Sequence, residues 1–112
     1  MSNFYYNNDI KLEELVSGKN YRKILAHDGN LMLVEVYFEN AAIGETHTHP
    51  HEQSVYCLEG EFEFTAGSET NIIKSGDTIY FPPNMPHGCK LLSKKGKLLD
   101  IFSPQREDFL DK

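Results

Sequence analysis

Disulfide frameworks, nucleic-acid surfaces and membrane spans leave marks that this sequence lacks. It has only two cysteines, Cys57 and Cys89. With no export signal ahead of it, a lone pair more often stays reduced than bridges, so both are expected to be small apolar fillers. Basic residues are outnumbered, eleven Lys and Arg against seventeen Asp and Glu. The formal charge of -6 is the wrong sign for binding that begins with counterion release from phosphates, which argues against nucleic acid. No apolar run approaches the ~20 residues that span a bilayer, and no basic start leads into an apolar stretch. The expectation is a cytoplasmic, soluble protein with neither nucleic-acid nor membrane partner. Sequence repeats, low-complexity tracts and linkers are also missing, and 112 residues leave room for one domain.

Seven Phe, six Tyr and a hydrophobic share of 39% are enough for a core. The first 29 residues are mixed. Asn7-Asn8-Asp9 looks like a turn, and Ile10 to Val16 reads as one or two helical turns ended by Ser17-Gly18. The expected division is an extension over residues 1–29, of short helix or strands packed on a barrel, and the barrel with its C-terminal tail over 30–112. From Asn30 the pattern changes. Met32, Val34, Val36 and Phe38 recur at period two, which predicts a strand. Further strands are predicted over Ser54–Leu58, Glu61–Thr65, Thr70–Lys74, Thr78–Phe81, His87–Leu92 and Lys97–Phe102. In Glu61-Phe62-Glu63-Phe64 the two Phe should face inward and the two Glu outward, as in a sheet with one wet face. Many short strands broken by Gly and Pro turns point to an all-β sandwich or barrel.

The five histidines are unevenly placed, with His47, His49 and His51 inside five positions. Residues two apart in a strand share a face at about 6–7 Å, near enough for two imidazoles to meet one ion; His47 and His49 satisfy that spacing. Pro50 should break or bulge the strand, after which Gln53 keeps their parity. His87 follows the stiff segment Pro82-Pro83-Asn84-Met85-Pro86. Three imidazoles and one amide oxygen would leave one or two positions open on a divalent ion, with Mn, Fe, Co, Ni and Zn all compatible. A register slip at Pro50 would substitute Glu52 or His51 for Gln53. An exposed polar edge is the bland alternative for the cluster, and His27 is expected at the surface or core edge.

Gly44 to Gly60 resembles the first cupin motif, G-x2-H-x-H-x3-E-x6-G, with Gln53 where the family usually has Glu. Gly76 to His87 is similar to the second, G-x5-P-x-G-x2-H, with Asn84 in place of the last Gly; Asn tolerates the left-handed backbone best after Gly. The resemblance implies a single-domain jelly-roll barrel with ligands pointing into its mouth. The run His47 to Gln53, the stretch Tyr56 to Phe64, the step Pro86-His87-Gly88-Cys89 and the tail Leu98 to Leu110 look like the KdgF-type pectin-degradation cupins. That likeness implies an isomerase-like conversion of 4,5-unsaturated monouronates to their linear keto form. It puts the metal ligands on His47, His49, Gln53 and His87, and the functional tail residues on Asp100, Phe102 and Arg106.

The residues suit such chemistry. Neutral ligands leave the full charge on a metal, which favours an anionic oxygen, and a close cation outweighs a screened surface charge. Leu98, Asp100 and Phe102 share one face of the last strand. If that face lines the barrel, Asp100 sits partly dry with its pKa raised toward a value useful for proton transfer; the alternative has Leu99 and Ile101 inside. Arg106 would clamp a carboxylate and Phe102 would wall the sugar, unless Arg106 is spent on a salt bridge with Glu107 or Asp108. Tyr56 and Tyr80 are further candidates near the site. The rival functions are a metal-dependent dioxygenase and a non-catalytic, sugar-binding sensor. A small barrel with edges to cover is expected to form a homodimer.

Overall fold

A computed structural model of the chain describes residues 2–110. A short 3-10 turn, Asn7–Asp9, precedes ten strands: β1 Glu13–Val16, β2 Asn20–Asp28, β3 Leu31–Glu39, β4 Ile43–His47, β5 Glu52–Glu59, β6 Glu61–Ala66, β7 Glu69–Lys74, β8 Thr78–Phe81, β9 His87–Leu91 and β10 Lys95–Ser103. A second 3-10 turn, Glu107–Phe109, follows. Every strand pair is antiparallel. One sheet runs β1-β2-β3-β10-β5-β8 and the other β4-β9-β6-β7. The chain is thus an all-β jelly roll of two facing sheets. Among the described residues no helix is long and apolar enough to cross a membrane.

Alternation decides which side chains enter. On β3, Met32, Val34 and Phe38 are buried, and on β6 Phe62 and Phe64 are buried while Glu63 is exposed. Phe62 meets Phe38 edge-on at 5.0 Å between ring centroids, joining the two sheets. A larger cluster around Phe62, Phe81 and Leu98 draws on both sheets. A smaller one, Met32, Val34 and Phe102, packs beside the C-terminal turn. Residues of both clusters, Phe38, Phe64 and Leu98 of the larger and Val34 and Phe102 of the smaller, line one cavity.

Two local features set the turns. Gly60 joins β5 to β6 at φ +93°, and a Cβ there would lie 2.5 Å from the Lys95 carbonyl oxygen. Only glycine fits. Asn84 takes φ +66°, the left-handed conformation that the second motif needs. Its backbone N–H donates to the His49 carbonyl at 2.8 Å, tying the two motif loops together.

The N-terminal region departs from the sequence reading. Ile10 to Val16 is not helical, because Glu13–Val16 pairs with β2 as an edge strand. β2 pairs along β3 from Asn20 to Asp28 and belongs to the six-stranded sheet. Its residues are nearly all half-buried, so it shows no clean alternation. Both cysteines are free thiols; Cys57 is fully buried in the core and Cys89 is half-buried.

Candidate metal centre and cavity

The two sheets each deliver part of the site. His47 ends β4 and His87 begins β9, and the two are direct partners in the ladder, with ring centroids 4.5 Å apart. His49 is not on a strand: β4 stops at His47 because its partner strand begins at His87 and offers nothing further to pair with. The expected common face of His47 and His49 on one strand is therefore corrected to a strand end and the loop after it. That loop crosses to the other sheet, where Gln53 sits on β5. Gln53 thus meets the histidines by convergence of two sheets rather than by parity along one strand.

Side-chain atoms of His47, His49 and His87 lie within 4.8 Å of one another. Each Nδ1 faces a carbonyl oxygen: Glu45 at 2.7 Å for His47, His51 at 3.0 Å for His49 and Met85 at 2.8 Å for His87. A carbonyl only accepts, so each Nδ1 carries the proton and each Nε2 presents a lone pair. Phe81 stacks on His87 at 4.3 Å and 15°, and Phe102 meets His49 edge-on at 5.7 Å. Burial holds the His87 pKa down at about 4 and also lowers that of His49. Both rings are therefore neutral at physiological pH, the form that ligates.

A divalent cation fits this donor set. His87 Nε2 is buried with no hydrogen-bond partner among the described residues. His49 Nε2 faces Gln53 Oε1 at 2.9 Å, and the Gln53 side chain pulls the Asp100 pKa down as a donor does, which puts its N–H on the Asp100 side. Two acceptors thus oppose each other, and a shared proton is disfavoured by the lowered pKa of His49. A cation removes the conflict, since metal–ligand bonds of about 2.0–2.2 Å place neighbouring donors roughly 3 Å apart. Of the alternatives to Gln53, Glu52 is exposed and accepts a hydrogen bond from the Tyr80 hydroxyl. His51 packs beside His49 and Phe102 without joining the three-histidine group.

Beside the histidines lies a cavity of about 180 Å³, walled in part by Gln53, Asp100, Phe102 and Arg106. That is below the roughly 300–1,000 Å³ of pockets for drug-sized ligands, so its occupant is small. Asp100 pairs across the sheet with Val34 on one side and Val55 on the other, and both valines are buried. This apolar setting raises the Asp100 pKa to about 7, against the opposing pull of the Gln53 hydrogen bond and the Arg106 charge. Leu98 and Phe102, not Leu99 and Ile101, are the buried neighbours on β10.

Arg106 is buried, and Asp108 binds it side-on through Nε at 3.0 Å and Nη2 at 2.7 Å. The salt bridge weighed as the alternative for Arg106 is therefore present and falls on Asp108, whose pKa it lowers. Three of the five guanidinium N–H groups are left over. The Arg106 guanidinium carbon stands 5.0 Å from the Phe102 ring centre and 4.1 Å from that of Phe109. Phe102 is as much core as wall, being buried among Met32 and Val34.

Three other residues lie away from the cavity. Tyr56 and Tyr80 are exposed on the outer face of β5 and β8, which corrects their placement near the site. His27 bonds Gln105 at 2.8 Å. Arg22 and Phe109 line the cavity but were not singled out from sequence; the unpatterned β2 hid the first, and only proximity to Arg106 in the chain pointed toward the second.

The cupin domain family matches residues 34–102. The chain is a cupin. It is 38% identical over 111 residues to the pectin degradation protein KdgF of Dickeya dadantii (strain 3937), covering 98% of this chain and 100% of that one. The structure of KdgF from Halomonas sp. is similar at TM-score 0.90 and 33% identity, over 98% of this chain and 100% of that one. An RmlC-like cupin from Shewanella frigidimarina NCIMB 400 gives the same score and identity, covering 98% and 97%. This cupin thus belongs with the KdgF proteins along its whole described length.

Proposed function

We propose that this cupin is a metal-dependent enzyme of pectin or alginate breakdown. It converts 4,5-unsaturated monouronates to their open-chain keto form. The observation that carries the reading is Asp100, a carboxyl with its pKa raised to about 7 on the same cavity as Gln53, His47 and His87. The likeness to KdgF, a pectin degradation protein, supplies the substrate class.

The reaction is a proton relocation. The hydroxyl on C1 loses its proton, the bond from C1 to the ring oxygen breaks, and the C4=C5 enol so released takes a proton on C4 to become the ketone. No electron leaves the molecule. One group that gives and takes a proton near neutrality serves both steps, and such a group contributes roughly 10²- to 10⁴-fold. Asp100 is that group here. His47, His49, Gln53 and His87 would hold the cation, which when bound polarises substrate oxygens and favours their anionic forms. Arg106, with three N–H groups beyond those used by Asp108, holds the carboxylate against the Phe102 ring. The valines beside Asp100 keep water from levelling its pKa.

The test is loss of the ultraviolet absorbance of the C4=C5 double bond when the protein meets lyase-generated monouronates, with dissolved oxygen followed in the same vessel. Absorbance should fall with no oxygen consumed. Oxygen uptake would indicate a dioxygenase, and binding without product would indicate a sensor. In solution we expect a homodimer, located in the cytoplasm.

A further inference from the structure

The proposed reaction assigns no role to Arg22. This arginine lies on β2, where it is paired with Val36 of β3, which in turn pairs with Leu98 of β10. Arg22 therefore enters the cavity two strands from Leu98, about 10 Å across the sheet, and three strands from the strand that carries Gln53. Its side chain is 17% exposed, and Glu13 of β1 takes its Nε–H at 2.7 Å. Among the described residues no hydrogen bond is formed by the four Nη hydrogens, so an arginine whose side chain is mostly buried keeps four donors to offer. The Arg22 guanidinium carbon lies 4.0 Å from the centre of the Phe109 ring, and that of Arg106 lies 4.1 Å from the same centre. The two cations are thus no more than about 8 Å apart, with one aromatic ring in common.

We infer that Arg22 is a second substrate-binding residue, which donates hydrogen bonds to neutral hydroxyl or carbonyl oxygens at the end of the sugar acid remote from the histidines. The inference rests on the proposed function for its substrate class. The charges favour neutral oxygens as the partner of Arg22. Glu13 balances Arg22 and Asp108 balances Arg106, so the spare Arg106 donors and a cation that the histidines would hold would match a single carboxylate. Arg22 then has donors to offer but little net charge, which suits a hydroxyl. Phe109 would lie beside the carbon skeleton between the two guanidinium groups. Arg22 thereby selects for length: a six-carbon acid can reach both arginines, whereas a three-carbon keto acid held at the histidine end cannot.

The test is calorimetric binding of two unreactive probes, galacturonate and pyruvate, to the metal-loaded wild type, Arg22→Met and Arg22→Lys, with KM and kcat for the unsaturated monouronate measured alongside. Arg22→Met should weaken galacturonate about tenfold or more, leave pyruvate within twofold, and raise KM more than it lowers kcat. Arg22→Lys, which keeps the charge and three donors, should recover part of the loss and serves as the readout if the Met variant does not fold. Equal weakening of both probes would overturn the inference, since that is the mark of long-range charge, and so would unchanged galacturonate affinity. Arg22-dependent galacturonate binding in a wild type without turnover would sustain the role of Arg22 while refuting the proposed reaction. Turnover with no effect of Arg22 would do the reverse.

Discussion

Gln53 Oε1 stands 2.9 Å from His49 Nε2, and the same side chain pulls the Asp100 pKa down as a donor does. One neutral side chain therefore spans the centre that would hold the cation and the group that would move the proton. A carboxylate in its place would lower the charge at the histidines and lose the N–H that reaches Asp100.

Gln53→Glu should accordingly retain metal on elemental analysis but turn over more slowly. Like charges 53 and 100 would face each other, pushing the Asp100 pKa further up. The pH–rate profile should move to higher pH; an unmoved profile would separate Gln53 from Asp100.

Asp100→Asn should lower kcat by roughly 10²- to 10⁴-fold with metal content unchanged. The same variant carries a stability signature. The folded pKa of about 7 exceeds the unfolded value of about 3.9, so the native state keeps a proton that the unfolded chain releases between those limits. Stability from this group is full below about pH 4 and is lost as pH rises through 7. Metal-free Asp100→Asn should therefore be more stable than the parent at pH 8, by roughly 2–4 kcal/mol, with the gap closing toward pH 4. Denaturant melts at the two pH values decide the matter, and an equal gap at both would mean that Asp100 titrates normally.

His47→Ala combined with His49→Ala should empty the centre on elemental analysis. Full retention of metal in the folded double variant would move the ligands elsewhere.

Gly60→Ala tests the fold rather than the site. With φ +93° and the Lys95 carbonyl 2.5 Å from the added carbon, the turn must shift. Thermal melts should show a loss of at least about 1–3 kcal/mol, and unchanged melting would place the turn differently.

Much of the barrel is legible in the sequence because its strands alternate strongly. Thr78–Phe81 and Glu69–Lys74 stand within a residue of the stretches marked by their β-forming composition. Leu98, Asp100 and Phe102 fall on one face because period two is rigid, which by itself sets an acid among apolar neighbours. β1 and β2 were harder to read, since Asn20 to Asp28 is half-buried on both sides and shows no alternating pattern. Arg22 was hidden with them. The histidine geometry was only half legible: the spacing of His47 and His49 brought two rings together, but the crossing from one sheet to the other at Pro50 is a tertiary event without a local signature. The Asp108 grip on Arg106 lies two residues away in the chain and could be anticipated, whereas the Phe109 ring between Arg106 and Arg22 could not.

The most direct measurement is the rate of absorbance loss from lyase-generated unsaturated monouronate as a function of bound metal. It would compare one preparation as purified, stripped by chelator and reloaded with Mn, Fe, Co, Ni or Zn. The rate should fall with the metal, return with at least one of these ions and consume no oxygen. An undiminished rate in the fully stripped protein, or no absorbance loss from the fully loaded one, would contradict it.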